Sequence, residues 1–472
     1  MMKKIFLLLF IMIFTSQIIP QSANNESSAV MNWDKVDGIL ARIKVPQFQA
    51  KDFIITDFGA VEGGTKDCSS AIKKAIEKCN AEGGGRVVVP AGIFLTGAIQ
   101  LKSNVNLHLQ KNAVLLFDTN PKAYLPVVFT RWEGIECMNY SPFIYAYEQK
   151  NIALTGEGTL DGGASDENWW AWARKGADKK SPATPDVKML NKMSEENVPV
   201  EKRVFGEGHF LRPNFFQPYK CENVLVEGVT ILRSPMWEIH PVLCTNVIVK
   251  DLKIITHGPN NDGCDPESSR DVLIENCLFD VGDDCIAIKS GRNDDGRRVG
   301  VPSENLIVRG CTMKDGHAGV AIGSEIAGGC KNVFIENCKM DSPNLDRALR
   351  LKSNARRGGI IENVFMRNVE IGKVSEALLT VDFLYEEGPN GQFPPTARNI
   401  FIDNVTSNSS PRLFFIAGFK GATIDNIKVM NSKFMNVTAT EVMEYAGKVE
   451  LDNVEIVPAK KVKSLSSRQL VE

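Results

Sequence analysis

The residues in this chain best suited to chemistry are an adjacent pair of aspartates, Asp283 and Asp284, and a third aspartate, Asp262, 21 positions before the pair. They stand in Asn260-Asn261-Asp262-Gly263-Cys264-Asp265 and Gly282-Asp283-Asp284-Cys285, and are followed by Gly316-His317-Ala318-Gly319 and Arg350-Leu351-Lys352. Carboxyl groups gathered within a few ångströms cannot all ionise as easily as exposed ones, so the pKa of at least one must rise. A proton donor then sits beside proton acceptors, which is what glycoside hydrolysis needs: one carboxylic acid to protonate the leaving oxygen and a second carboxylate to activate water. Arg350 and Lys352 would add charge-assisted contacts to a sugar carboxylate. Taken singly these residues mean little. An Asp-Asp pair is common in turns and calcium loops, a lone histidine is usually a satisfied polar group, and Arg350 with Lys352 would be a solvated face.

Their weight comes from a repeat that would stack them. From about residue 220 one phrase returns at Asn223, Asn246, Asp271, Asn305, Asn332, Asn363 and Asn399, each time as a strand-sized β-branched run closed by a turn residue. The first intervals are 23 (246−223) and 25 (271−246) residues, and a later one is 36 (399−363), as expected where loops are inserted between coils. Strands at such a period, with almost no helix signal, indicate a β-solenoid; an antiparallel sandwich or propeller would show hairpin turns instead. The asparagines that open the phrases suit a stacked polar ladder at a turn. Aligning the coils on Ser268, Ser290, Ser324 and Ser353 puts Asp262 in one column with Asp284 and His317 in the column of Asp283. Arg350 and Lys352 fall slightly further along the same face. Coils lie about 4.8 Å apart, so residues distant in sequence become neighbours. Side chains alternate along a straight strand, so Asp283 and Asp284 can share a groove only where a turn enters the strand.

At these motifs the sequence resembles glycoside hydrolase family 28, the polygalacturonases and their relatives. The resemblance spans roughly residues 50 to 450 and includes Asp57-Phe58-Gly59-Ala60, Gly83-Gly84-Gly85 and Pro90-Ala91-Gly92. It implies an all-β fold, a single-stranded right-handed parallel β-helix of the pectin-lyase-like kind, and cleavage of α-linked galacturonic acid in pectin with inversion and without cofactor or metal. By the same resemblance Asp283 would be the general acid, Asp262 and Asp284 would hold and activate the water, and His317 would tune the acid or help bind substrate. Arg350, Lys352, Asp265 and Asn260 would bind the sugar. Asp265-Pro266 looks like members that act from a chain end. Two departures, Asn261 where threonine is frequent and Ala318 between His317 and Gly319, bear on substrate subclass. Other readings stay open: a rhamnogalacturonan or side-chain galacturonide as substrate, a calcium-dependent lyase, or a pectin-binding solenoid without turnover.

The rest of the chain fits this frame. With 472 residues, 43% apolar and 24% charged, at net charge −2, nothing points to nucleic acid or an anionic membrane, so a polyanionic substrate must be met by a few placed cations. Lys3, Lys4 and the apolar run Ile5 to Phe14 before Ser22 and Ala23 read as a secretory signal over residues 1–23. The mature protein would then be periplasmic or secreted, without membrane insertion. Residues 24–50 form an extension and 51–460 the solenoid, interrupted at 165–215 by an insertion bearing Trp169, Trp170 and Trp172. These rings either wall off one end of the groove or pack their own loop. Ser69 to Ala81 reads as an amphipathic helix, capped by Ser69 or Ser70, stopped by Gly83-Gly84-Gly85 and placed to cover the open end of the core. The eleven cysteines are an odd number; Cys277, Cys311 and Cys338 fit one column and Cys264 with Cys285 another, as packing groups rather than disulfides. Cys68 and Cys79 stay unassigned.

Overall fold

The structure, a computed structural model, describes residues 33–174 and 180–459. The signal sequence expected at 1–23 lies outside them. Parallel strands from Asp52–Ile54 to Val449–Pro458 wind into one continuous β-helix. Its register shows how the phrase works: Val224, Val247, Val272, Leu306, Val333, Val364, Ile400 and Ile427 pair in succession and form one buried column. The residue opening each phrase is in the left-handed region, with φ between 54° and 61° at Asn223, Asn246, Asp271, Asn305, Asn332, Asn363, Asn399 and Asn426. Asparagine tolerates that conformation better than other residues with a Cβ. Its amide also passes a hydrogen bond to the coil below, from Asn332 to Asn305 (3.0 Å), from Asn363 to Asn332 (3.3 Å) and from Asn399 to Asn363 (3.0 Å).

Asp271 is the one ladder member among the described residues without an amide to donate, and the N-terminal segment repairs the break. Arg42, at the end of helix α1 (Asp34–Arg42), donates to both Asp271 oxygens at 3.2 and 2.7 Å. Lys44 N donates to Asn246 Oδ1 at 2.9 Å, supplying the donor that Asp271 lacks. Val36, Ile39 and Ile43 cover an apolar column on the outer face of the sheet that includes Leu273, Ile307, Phe334 and Phe365.

Helix α2 (Ser69–Ala81) closes the start of the solenoid, burying Ala71, Ile72, Ala75, Ile76 and Cys79. Its first turn is held by Asp67, whose Oδ1 accepts from Ser69 N at 2.9 Å, and not by the side chain of Ser69 or Ser70. Gly84 lies so close to the next coil that a Cβ there would be 2.4 Å from Asn104 O. All eleven cysteines are buried free thiols. Cys277, Cys311 and Cys338 do share a column, since Leu278 pairs with Thr312 and Thr312 with Lys339. Cys264 and Cys285 do not: Cys264 pairs with Ile286, which sets Cys285 beside Gly263.

One face of the helix is built from Ile144–Tyr147, Phe216–Tyr219, the bridged segments at 239–242 and 264–267, and the strands Ile286–Ile288, Val320–Ile322, Arg347–Lys352 and Ala377–Asp382. Its earlier coils are covered. An antiparallel hairpin, Val128–Trp132 with Ile135–Asn139, lies over them, with Arg131 reaching Glu267 at 3.2 Å and Gln217 Nε2 donating to Arg131 O at 3.1 Å. The insertion braces this hairpin through helix α3 (Thr184–Glu195), whose Leu190 packs with Trp132, Phe205, Leu211 and Trp237. Beyond the hairpin the face opens.

Candidate active site

The opening is a cleft of about 300 Å³ lined by Asp262, Asp283, Lys289, His317, Arg350 and Lys352, with Glu133, Trp237, Asn260, Arg292, Glu325 and Tyr385 at its walls. The register that stacks Cys264 on Ile286 and Ile286 on Val320 places Asp262 beside Asp284 and Asp283 beside His317. Asp283, in a bend, and Asp284 precede the strand Ile286–Ile288, so both carboxyl groups gather beside Asp262; Asp283 lines the cleft and Asp284 is fully buried. Asp262, Asp283 and Asp284 each offer an oxygen within 4.8 Å of the others.

The three carboxyl groups differ in their partners. Asp283 Oδ1 lies 2.9 Å from His317 Nδ1 and accepts from Asp284 N at 2.9 Å. Asp284 is fully buried and takes Lys352 Nζ at 2.7 Å, with Arg350 at 3.9 Å. Asp262 has Lys289 as its one salt-bridge partner among the described residues, at 3.6 Å. Oδ1 of Asp262 and Oδ1 of Asp284 are both buried acceptors without a protein donor.

Protonation follows these contacts. Burial pushes the Asp262 carboxyl well above its usual range, and Asp283, Asp265 and Asp284 push it further against the pull of Lys289. Burial also raises Asp283, but the His317 hydrogen bond and charge, with Lys352 and Lys289, outweigh it and hold Asp283 at about 2. Asp262 and Asp283 therefore titrate as an interacting pair, with Asp262 displaced upwards and Asp283 downwards. His317 is itself raised, chiefly by Asp283, so the pair is an ion pair in mild acid.

Two residues expected to bind sugar are otherwise engaged. Asp265 is fully buried, 3.4 Å from Lys289, and held up at about 8 mainly by burial. Asn260 does line the cleft, but its Oδ1 accepts from Arg212 Nη2 at 2.6 Å. Asn261, at the position where threonine is frequent, is spent on the loop: its Oδ1 accepts from Gly258 N at 2.7 Å and its Nδ2 donates to Ser234 O at 3.1 Å. Ala318 is fully buried and packs with Ala287 and Ala321. The tryptophans of the insertion pack their own surroundings. Trp169 is buried against Tyr124 and Phe143, Trp172 packs on Tyr140 and Phe210, and Trp170 Nε1 donates to Ser234 O at 2.8 Å.

The wall of the cleft comes from elsewhere. The hairpin tip, Glu133-Gly134, meets Arg292 at 2.9 Å through Glu133, and Gly134 O accepts from Arg292 N at 3.0 Å. Arg292 also lies 3.8 Å from Glu325 and 3.7 Å from Glu386, and Glu386 takes Arg357 at 2.7 Å. Tyr385 stands 5.6 Å from both Arg350 and Lys352. Apart from Arg350 and Lys352, none of these residues belongs to the four motifs. Lys289 has a signal of its own: it precedes Ser290 as Lys352 precedes Ser353, so the serine alignment places both lysines in one column.

A coiled parallel sheet with an acid cluster and matched cations in one lateral cleft defines a right-handed parallel β-helix protein of the carbohydrate-active kind. The Glycosyl hydrolases family 28 profile matches residues 206–411. A hyperthermoactive exopolygalacturonase from Thermotoga maritima, of known crystal structure, is 44% identical, covering 90% of this chain and 96% of its own, with a TM-score of 0.87. The chain belongs to glycoside hydrolase family 28. A probable polygalacturonase of Vitis vinifera is 28% identical over 67% of this chain and 60% of its own length. An exo-poly-alpha-D-galacturonosidase of Dickeya chrysanthemi is 28% identical over 75% of this chain and 61% of its own. The chain thus spans about three fifths of these two relatives.

Proposed function

We propose that the protein hydrolyses α-linked galacturonic acid in pectic chains, removing residues from a chain end with inversion. The observation that carries this reading is the set of three aspartates within 4.8 Å of one another, paired with Lys289, Lys352 and Arg350 in one cleft. A galacturonate carboxylate entering beside Arg350 and Lys352 would offset cations that hold Asp283 down. Asp283 would then rise and take up the proton of the coupled pair to become the working acid, leaving Asp262 ionised as the base. A water activated by Asp262, with Asp284 beside it, would attack as Asp283 protonates the leaving oxygen. The carboxyl groups are closer than the roughly 6.5–9.5 Å usual for inverting pairs; inversion rests on the family resemblance, and the anomer first formed tests it.

The same cations argue against a calcium-dependent elimination, since Lys289, Lys352 and Arg350 already offset the charge of Asp262 and Asp284. Action from a chain end is supported by the wall of Glu133, Arg292 and Glu386 and by the exopolygalacturonase relative from Thermotoga maritima. Export rests on the residue 1–23 pattern; no helix among the described residues is long and apolar enough to cross a membrane. N-terminal sequencing of the mature protein checks it.

The deciding experiment is a time course on polygalacturonic acid with chelator present, following products by chromatography and the anomer first formed by proton NMR. Saturated galacturonic acid alone from the outset, born as the β anomer, supports the reading. Unsaturated products would replace it with a lyase, early mixed oligomers would remove the chain-end restriction, and an α anomer would remove inversion. No cleavage would turn the search to rhamnogalacturonan.

A further inference from the structure

The column that carries Lys352 runs through Glu267, Lys289, Gly323, Lys352 and Asp382. Gly323 separates the two lysines. It has φ +104° and no room for a Cβ, which would lie 2.0 Å from Lys352 O, so no side chain stands between the two amines. Each lysine then serves a different aspartate of the pair placed to hold water: Lys352 hydrogen-bonds Asp284 at 2.7 Å, and Lys289 faces Asp262.

Their manner differs. Lys289 is buried, over the ring of Trp237 at 4.4 Å, and stands off from three carboxylates at similar distances: 3.4 Å from Asp265, 3.6 Å from Asp262 and 3.6 Å from Glu325. A cation at that range lowers a carboxylate's proton affinity without occupying its acceptor sites, and Asp262 Oδ1 stays free. The other neighbours have cations of their own. Glu325 also meets Arg292 and Arg357 at 3.8 and 3.7 Å, and Glu267 meets His240 and Arg131 at 2.7 and 3.2 Å. Among the described residues, Asp262 and Asp265 have Lys289 alone within salt-bridge distance, while Asp283 and Asp284 add negative charge near Asp262 and Arg212 adds a more distant positive one. Behind Asp265, Glu238 is fully buried with neither carboxyl oxygen hydrogen-bonded.

We propose that Lys289 is a positioning residue for hydrolysis: its buried ammonium, held between Asp262, Asp265 and Glu325, keeps the Asp262 carboxyl able to accept the proton of the attacking water. This rests on the hydrolase reading of the cleft. Burial and three acidic neighbours raise Asp262, and Lys289 is the group that counters them.

The test is Lys289→Met, which keeps the length of the side chain and its contact with Trp237, with Lys289→Arg as the charge-keeping control. In the full chain labelled with carboxyl-13C aspartate, Asp262 is assigned by its loss in Asp262→Asn and titrated by NMR. Its midpoint should move up by about 1 to 3 pH units in Lys289→Met, return in Lys289→Arg, and move down in Glu325→Gln, which removes a competing carboxylate. The acid limb of kcat on polygalacturonate should follow the same shifts while KM stays within about threefold. An Asp262 midpoint unmoved in Lys289→Met overturns the proposal, as does a rise in KM with the acid limb unchanged, which would make Lys289 a substrate contact. If Lys289→Met does not fold, the Lys289→Arg and Glu325→Gln titrations decide it, and an unmoved midpoint in Glu325→Gln counts against it. A shifted midpoint in a protein that cleaves no pectic substrate would instead leave Lys289 in place and defeat the hydrolase reading.

Discussion

Replacing His317 by glutamine removes the cation from an ion pair whose other half is Asp283, and its effect can be worked out from the structure. Asp283 is held at about 2 against an ordinary 3.8, a difference worth about 2 kcal/mol at 1.36 kcal/mol per pH unit. His317 is 51% exposed and Asp283 18%, so solvent screening reduces the expected cost to about 1 kcal/mol. Its pH dependence has two edges. A depressed carboxylate contributes stability above its unfolded pKa, near 3.8, and loses it as pH falls through about 2. A raised histidine contributes below 6.5 and loses its share as pH rises through its folded value. The penalty of His317→Gln should therefore be greatest between about pH 4 and 6.5 and shrink on both sides. Urea unfolding of the wild type, His317→Gln, Asp283→Asn and the double variant at pH 3, 5.5 and 9 isolates the pairwise part. A penalty independent of pH, or one largest at pH 9, would refute the ion pair and with it the account of why Asp283 is held down.

Three further outcomes are expected. Asp283→Asn and Asp262→Asn should each lower kcat by about 10²- to 10⁴-fold with an unchanged circular dichroism spectrum; a KM effect alone would make them binding groups. Asn332→Ala gives up hydrogen bonds to Asn305 and from Asn363 and puts alanine at φ 60°, costing roughly 2–4 kcal/mol in denaturant unfolding. Asn332→Gly should cost less, by the share due to backbone strain. Arg292→Ala loosens Glu133 and Glu386 at the wall, so di- and trisaccharides should join the monomer among the first products; monomer alone would place the chain-end restriction elsewhere.

The solenoid is legible in the sequence because each coil restates its own geometry. Asparagine is favoured where φ is positive, and the β-branched run after it repeats the inward column. The site is legible for the same reason, since the serine alignment reproduces the register that joins Asp262 to Asp284 and Asp283 to His317. What escapes is whatever the repeat does not fix. Cys264 and Cys285 share a phrase but are one residue out of step, because the serines and not the cysteines mark the register. Asp265 sits in a motif, yet lies under Lys289. The wall joins Glu133 to Arg292 across 159 residues, through a hairpin that is the one antiparallel pairing among the described residues. Neither its pairing nor its position over the sheet has a counterpart elsewhere in the repeat.

A stack of near-identical coils has a translational symmetry, and a segment docking along its outside meets much the same surface every 4.8 Å or so. Nothing in a run of asparagines tells one coil from the next. Asp271 ends that degeneracy by lacking a single N–H group: it leaves Asn246 without a donor and offers Arg42 a charge that no other ladder position holds. The N-terminal segment can then bind in one register only. In a structure otherwise built by counting, this one substitution marks the origin.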